Sequence, residues 1–198
     1  MILDENLTWN EHISDVCNKL KRYFKIFYHL RRNINIEQVK VTYYALIYSK
    51  IKYGITVYGF ANKDKINRIQ ILQNKLLKVL LSKNYRYPTS DLHLELGILK
   101  VQDIIEVETA TFMHNYFNSK LPTMFNKYFT LFGEVTDITT RGSNNQIIVD
   151  KHKTNMGESS IKISGAKIWN KISTSNKQIK NVKDFRKKIK SEILPTYS

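Results

Sequence analysis

The residues best placed to do chemistry are cations. Between Lys63 and Lys83 the chain reads KDKINRIQILQNKLLKVLLSK, with Ile66, Ile69, Leu72, Leu76, Val79 and Leu80 recurring three and four apart. That period gathers them on one side of a helix and leaves Lys65, Arg68, Lys75 and Lys78 on another. Lys19, Arg22 and Lys25 lie in the same way within the first helical pattern. Ammonium and guanidinium groups arrayed along helices meet phosphate oxygens without reading sequence, in a salt-sensitive way. The same spacing also describes a solvated helix face, and each cation taken singly fits both readings. Groups for covalent or metal chemistry are sparse. There is no C-x-x-C, H-E-x-x-H, G-x-S-x-G or glycine-rich phosphate loop. His12, His29, His93, His114 and His152 are scattered without ligand spacing. No two aspartates are adjacent, and Glu106 and Glu108, two apart on a helix, point different ways. No carboxylate pair therefore offers to hold two divalent ions ~4 Å apart. We assign no catalytic residue, no metal ligand and no cofactor.

The charge is blocked along the chain. Of a net +15, residues 1–18 contribute −4, 19–88 contribute +14, 89–118 contribute −4 and 119–198 contribute +9. A field this uneven draws in an anionic partner and speeds encounter with it. Cys17 is the single cysteine, which excludes a disulfide framework and fits a reducing compartment. No apolar run reaches the roughly eighteen residues of a membrane span. The opening residues lack the charged-then-apolar order of a secretory signal. The expected location is intracellular, nuclear or cytoplasmic, with no membrane partner.

The elements that position the cations follow from periodicity. Thr8 and Glu11 form a T-x-x-E capping box before a helix buried along Ile13, Val16, Cys17, Leu20, Phe24 and Phe27. A second helix starts after Asn35, with Gln38 three residues on. It turns Val39, Tyr43, Leu46, Ile47 and Ile51 inward and ends at Gly54 or Gly59. Tyr43, Tyr44, Tyr48, Tyr53 and Tyr58 crowd this stretch, where core packing and base stacking both remain open. The third helix is the basic one, stopped before Pro88. Short connections favour an antiparallel three-helix bundle over residues 1–88.

Residues 89–198 read as an extension. Ser90 caps a short helix over Asp91–Leu96, stopped at Gly97, and a longer helix runs from about Asp103 to Asn118. Residues 133–165 are irregular, with weak strands at Gln146–Val149 and Ser160–Ser164. Small helices come next, around Ala166–Ile172 and Val182–Ile193, the last carrying Lys187 and Lys188. The fold class is mainly α.

In this order the segments resemble a known family. ILDENLTWNEHI is similar to the element after the catalytic palm in reverse transcriptases of jockey-like non-LTR retrotransposons. Lys19–Leu20 with Leu30–Arg31, LIYSKIKYGITVYG, RIQILQNKLLKVL, LELGILKVQDI, Leu121–Phe125, TRGSNN at Thr140–Asn145 and GAKIWNKI at Gly165–Ile172 each have a counterpart. Tyr58 stands where that family usually has Trp, and Leu77 and Val79 where it has Ala and Ile. The resemblance implies a thumb-like bundle and its extension, lying against a primer–template duplex or RNA–DNA hybrid. It also implies that the aspartates and Mg²⁺ of synthesis belong to a palm absent from this chain, as in a truncated or internally started frame. The chain is then a non-catalytic fragment of an RNA-directed DNA polymerase. The alternative is an inert or protein-binding helical fragment, self-associating through the surface a palm would cover.

Overall fold

Helix α1 (Asn10–Leu30) buries Ile13, Val16, Cys17, Leu20 and Phe27, as its apolar period requires, with Phe24 half-buried. The structure is a computed structural model and describes residues 1–135, 146–151 and 154–197. The start of α1 departs from the expected capping box. Its N-cap is Trp9, in the left-handed region at φ 62°, and no side chain caps it. Asp4 instead closes the entry turn, its carboxylate oxygens accepting from the Thr8 and Trp9 amides at 2.7 Å each. Those amides, Thr8 foremost, hold the Asp4 carboxyl below the usual range. The turn serves to bury the Trp9 indole, which meets His12 edge-on, and this leaves Thr8 outside the cap.

Helix α2 (Ile36–Thr42) begins as expected. Asn35 Oδ1 accepts from the Gln38 amide at 3.0 Å and Gln38 Oε1 accepts from the Asn35 amide at 2.9 Å, a reciprocal capping box. The chain continues through a π-helical turn, Tyr43–Tyr48, into α3 (Ser49–Lys52). Val39, Tyr43, Ile47 and Ile51 are all buried. They are four apart, and four residues of α-helix overshoot a full turn by about 40°, so such a stripe drifts around the axis. The wider π turn absorbs part of that drift. Gly54, at φ 73°, admits the left-handed turn into α4 (Ile55–Tyr58).

Helix α5 (Lys63–Leu80) is capped by the Asn62 side chain and buries Ile66, Ile69, Gln73, Leu76, Leu77 and Leu80. It stops well before Pro88. Ser82 adopts φ 54°, Ser82 N–H donates to the Val79 carbonyl and Lys83 N–H to the Lys78 carbonyl, a Schellman closure built on serine. Helix α6 (Thr89–Leu96) starts from Pro88, not from a Ser90 cap, and ends at Gly97 as expected. Helix α7 (Val101–Phe117) comes next.

Helix directions come from side-chain reach. Lys65 meets Thr8 and Arg68 meets Ser14, so α1 and α5 ascend together, and theirs is the largest helix–helix interface among the described residues. The segment between them descends: Tyr43 bonds Gln73 in the second half of α5, whereas Tyr58 packs on His12 at the start of α1. Successive helices alternate in direction, so the first and third are parallel.

Contacts divide the chain into two units, residues 1–105 with 191–198, and residues 106–190. In the second unit α7 continues into a 3₁₀ turn (Thr123–Phe125), α8 (Phe132–Val135), α9 (Asn155–Glu158), α10 (Ile161–Lys171), α11 (Thr174–Lys177) and most of α12 (Val182–Ile193). Its core stacks Phe117 on Trp169 and His114 on Phe185, with centroids 4.7 and 4.4 Å apart. The Arg186 guanidinium forks onto the buried Glu108 carboxylate. Gln146–Val149 contributes a single antiparallel bridge, Ile147 to Leu131, steadied by Asn170, which bonds both the amide and the carbonyl of Ile147. Ser160–Ser164 is not a strand. Ile163, Ala166 and Trp169, three apart and buried, draw it into α10. Thr140–Asn145 lies outside the described residues.

Candidate nucleic-acid interface

The cations singled out in the sequence do not form one row. Lys75 and Lys78 line an open groove of about 490 Å³ in the first unit. The C-terminal half of α1 and its C-cap give it Phe24, Tyr28 and Arg31; α5 gives it Ile71, Asn74, Lys75, Lys78 and Val79; the segment after α5 gives Lys83 and Tyr85, and α6 gives Thr89. Lys75 is exposed, while Lys78 is half-buried and donates to the Tyr85 carbonyl at 2.6 Å. Lys65 is held back, its ammonium donating to the Thr8 carbonyl at 3.0 Å, and Arg68 leans toward Ser14 at 3.5 Å. Both thus help tie α5 to α1.

Arg22 and Lys25 project from α1 into solvent. Lys19 lies elsewhere. It lines a second pocket with His12, Ser49, Lys50 and Tyr53, and pairs with Asp15 at 2.6 Å. The reason is rotational: successive residues turn about 100°, so Lys19, Arg22 and Lys25 fan across the outer side of α1.

Arg31, Lys83, Tyr28 and Tyr85 are groove residues that sequence reasoning left unassigned. Arg31 lies over the Tyr28 ring at 4.5 Å and Arg86 over Tyr85 at 5.4 Å, with Arg86 Nε also donating to the Tyr85 hydroxyl. Lys83 sits over Tyr87 and pairs with Glu95 at 3.2 Å, whose carboxylate raises the lysine pKa. Basic and aromatic residues alternate in KNYRYP, the one signal that pointed here.

Beneath the groove a buried polar cluster fixes α5. Gln73, with no exposed surface, donates to the Tyr43 hydroxyl at 2.8 Å and to the Leu99 carbonyl at 2.9 Å. Gln70 donates to Gln73 and Asn74 and accepts from the Val101 amide. Asn74 Oδ1 in turn lies 2.9 Å from His93 Nε2, while His93 Nδ1 faces the Ile98 carbonyl at 2.9 Å. Burial lowers the His93 pKa to about 4, against the Ile98 carbonyl, which favours the imidazolium, and with the nearby Lys100 charge adding to the lowering. The tyrosines divide accordingly. Tyr43 and Tyr58 are core, their hydroxyls pushed well above the usual range by burial, whereas Tyr53 is 64% exposed. Among the described residues no three His, Cys, Asp or Glu side chains gather as a metal site would require, and no helix is long and apolar enough to cross a membrane.

Comparison with known proteins gives this geometry a context. Over 115 residues, 57% of this chain and 13% of the relative, it is 25% identical to the probable RNA-directed DNA polymerase from transposon X-element of Drosophila melanogaster. Over 122 residues, 60% of this chain and 13% of the relative, it is 28% identical to the RNA-directed DNA polymerase from mobile element jockey of Drosophila funebris. The chain is similar to the RNA-directed DNA polymerases of jockey-like non-LTR retrotransposons. A third such relative, the probable polymerase from transposon BS of Drosophila melanogaster, is 24% identical over 113 residues, 56% of this chain and 12% of the relative. The matched stretch is thus about an eighth of each relative's length. No protein-family model and no solved structure matches the chain.

Proposed function

We propose that this chain is a nucleic-acid-gripping part of a reverse transcriptase, a thumb-like bundle (1–88) with its extension (89–198), and that it performs no synthesis alone. Its partner is a duplex or RNA–DNA hybrid, held by phosphate contacts that let the protein slide. The observation that carries this reading is a polymerase-related chain whose α1–α5 pair keeps Arg22, Lys25 and Lys75 exposed. Arg68 is exposed as well, with only a 3.5 Å contact to Ser14, whereas Lys78 and Lys65 contribute field more than direct contacts, since each is already turned toward a backbone carbonyl. On this reading the chain supplies no Mg²⁺ ligand.

The test is binding of a labelled RNA–DNA hybrid across a salt series. Roughly 4–6 phosphate contacts give a slope of log K against log salt near −4 to −5. Affinity indifferent to salt would remove this function. Primer extension by the chain alone should give no product.

A second reading has its own support. Val41, Tyr53 and Val57, in α2, the turn before α4 and α4, are 69%, 64% and 46% exposed, apolar side chains that a protein partner or another copy would cover. Salt-insensitive oligomers that ignore nucleic acid, seen by sedimentation, would favour it.

A further inference from the structure

We infer that the groove between the end of α1 and the segment after α5 is a separate subsite for unpaired nucleotides, which it binds by stacking bases on Tyr28 and Tyr85. This rests on the nucleic-acid reading above and goes beyond it, because gripping a duplex by its phosphates needs no aromatic ring. The groove has rings where a phosphate clamp would have only cations. Tyr28 is 52% exposed and Tyr85 75%, yet neither is loose. Arg31 covers one face of Tyr28, and Arg86 lies over the Tyr85 ring and bonds its hydroxyl, while Lys78 holds the Tyr85 backbone carbonyl. Holding an exposed ring in place lowers the entropy lost when a flat ligand lands on it.

The lining selects the ligand's charge. Arg31, Lys75, Lys78 and Lys83 line the groove, and no Asp or Glu does. Glu95 lies nearby but is taken up by Lys83, and Lys75 keeps its ammonium exposed. The floor includes Ile71, 44% exposed, an apolar contact for the body of a base. A volume near 490 Å³ is in the range of small-ligand sites. Aromatic faces, a polyanion's counter-charges and an apolar floor together match single-stranded nucleic acid, whose bases are free to leave their own stack. In a duplex those faces are already occupied.

The test uses the full chain with a twelve-nucleotide single-stranded RNA and an RNA–DNA hybrid of the same sequence. The Tyr28→Ala/Tyr85→Ala variant should lose about tenfold or more in affinity for the single strand. It should change hybrid binding less than twofold and leave the salt slope intact. The Tyr28→Phe/Tyr85→Phe variant keeps both rings but loses the Arg86 bond to the Tyr85 hydroxyl, so it should bind the single strand more tightly than the alanine variant and no more tightly than the parent. If the alanine variant binds the single strand normally, the subsite is overturned while the hybrid-gripping function stands. If a polyglutamate peptide displaces the RNA as well as unlabelled RNA does, charge alone fills the groove and the subsite is again overturned. Absence of salt-dependent binding to either nucleic acid would take down both readings together.

Discussion

Gln73 sits inside the basic helix as its one fully buried polar side chain, bonded to Tyr43 and Leu99. It joins α5 to the π-helical turn Tyr43–Tyr48 and to Leu99, just before α7. Replacing it by Leu keeps the volume roughly but strands a tyrosine hydroxyl and a carbonyl away from water. Each unsatisfied group costs about 1–3 kcal/mol, so Gln73→Leu should lower stability by at least about 2 kcal/mol in urea unfolding. A neutral result would mean that the cluster is hydrated. His93, next in that cluster, gives a pH signature. Its folded pKa lies near 4, below the unfolded value near 6.5, so the unfolded chain binds the extra proton between those values. This contribution to stability is complete above about pH 6.5 and falls as pH drops toward 4. His93→Gln should flatten that part of the profile. A profile rising toward acid would mean that the two oxygens keep the ring charged.

At the scale of elements, ends mattered more than middles. The reciprocal bonds of Asn35 and Gln38 start α2 on the solvent side, where no packing compensates for their loss. Asn35→Ala should therefore cost about 1 kcal/mol, read from the denaturation midpoint at constant m. Thr8→Ala should cost far less, because Asp4 and not Thr8 closes the turn before α1. Equal losses at the two sites would contradict the observed caps. Thr8 and Asn35 carry equally good sequence signals. What separated them was Trp9, whose burial turns the chain before Thr8 can reach the third helical amide.

For the whole molecule the dominant fact is a net charge of +15. Self-repulsion opposes folding and is screened within a Debye length of about 10 Å at 0.1 M salt. Thermal stability should rise as salt goes from about 0.01 to 0.15 M, while nucleic-acid affinity falls over the same range. Opposite salt responses of folding and binding would tie both to one excess of positive charge. A melting temperature that falls with salt would show instead that local ion pairs such as Lys19–Asp15 and Lys162–Asp150 outweigh the net repulsion.

By itself the sequence determined the helical character, the buried stripe of α1, the α12 limits and the similarity to retrotransposon polymerases. In α5 it placed Ile66, Ile69, Leu76 and Leu80, but Leu72 and Val79 are half-buried and Gln73 and Leu77 are buried instead. Apolar period and ordered motifs are local properties, and each survives whatever the neighbours do. Only the tertiary structure decided which cations share a surface. Lys19 and Lys75 look alike along the chain, yet one pairs with Asp15 beside α3 and the other borders the Tyr28–Tyr85 groove. A side chain's neighbours depend on how helices turn about their axes and run beside one another, and that is set by packing across the core. Ser160–Ser164 teaches the same point, since its alternation suggested a strand until Trp169 had a partner in Phe117.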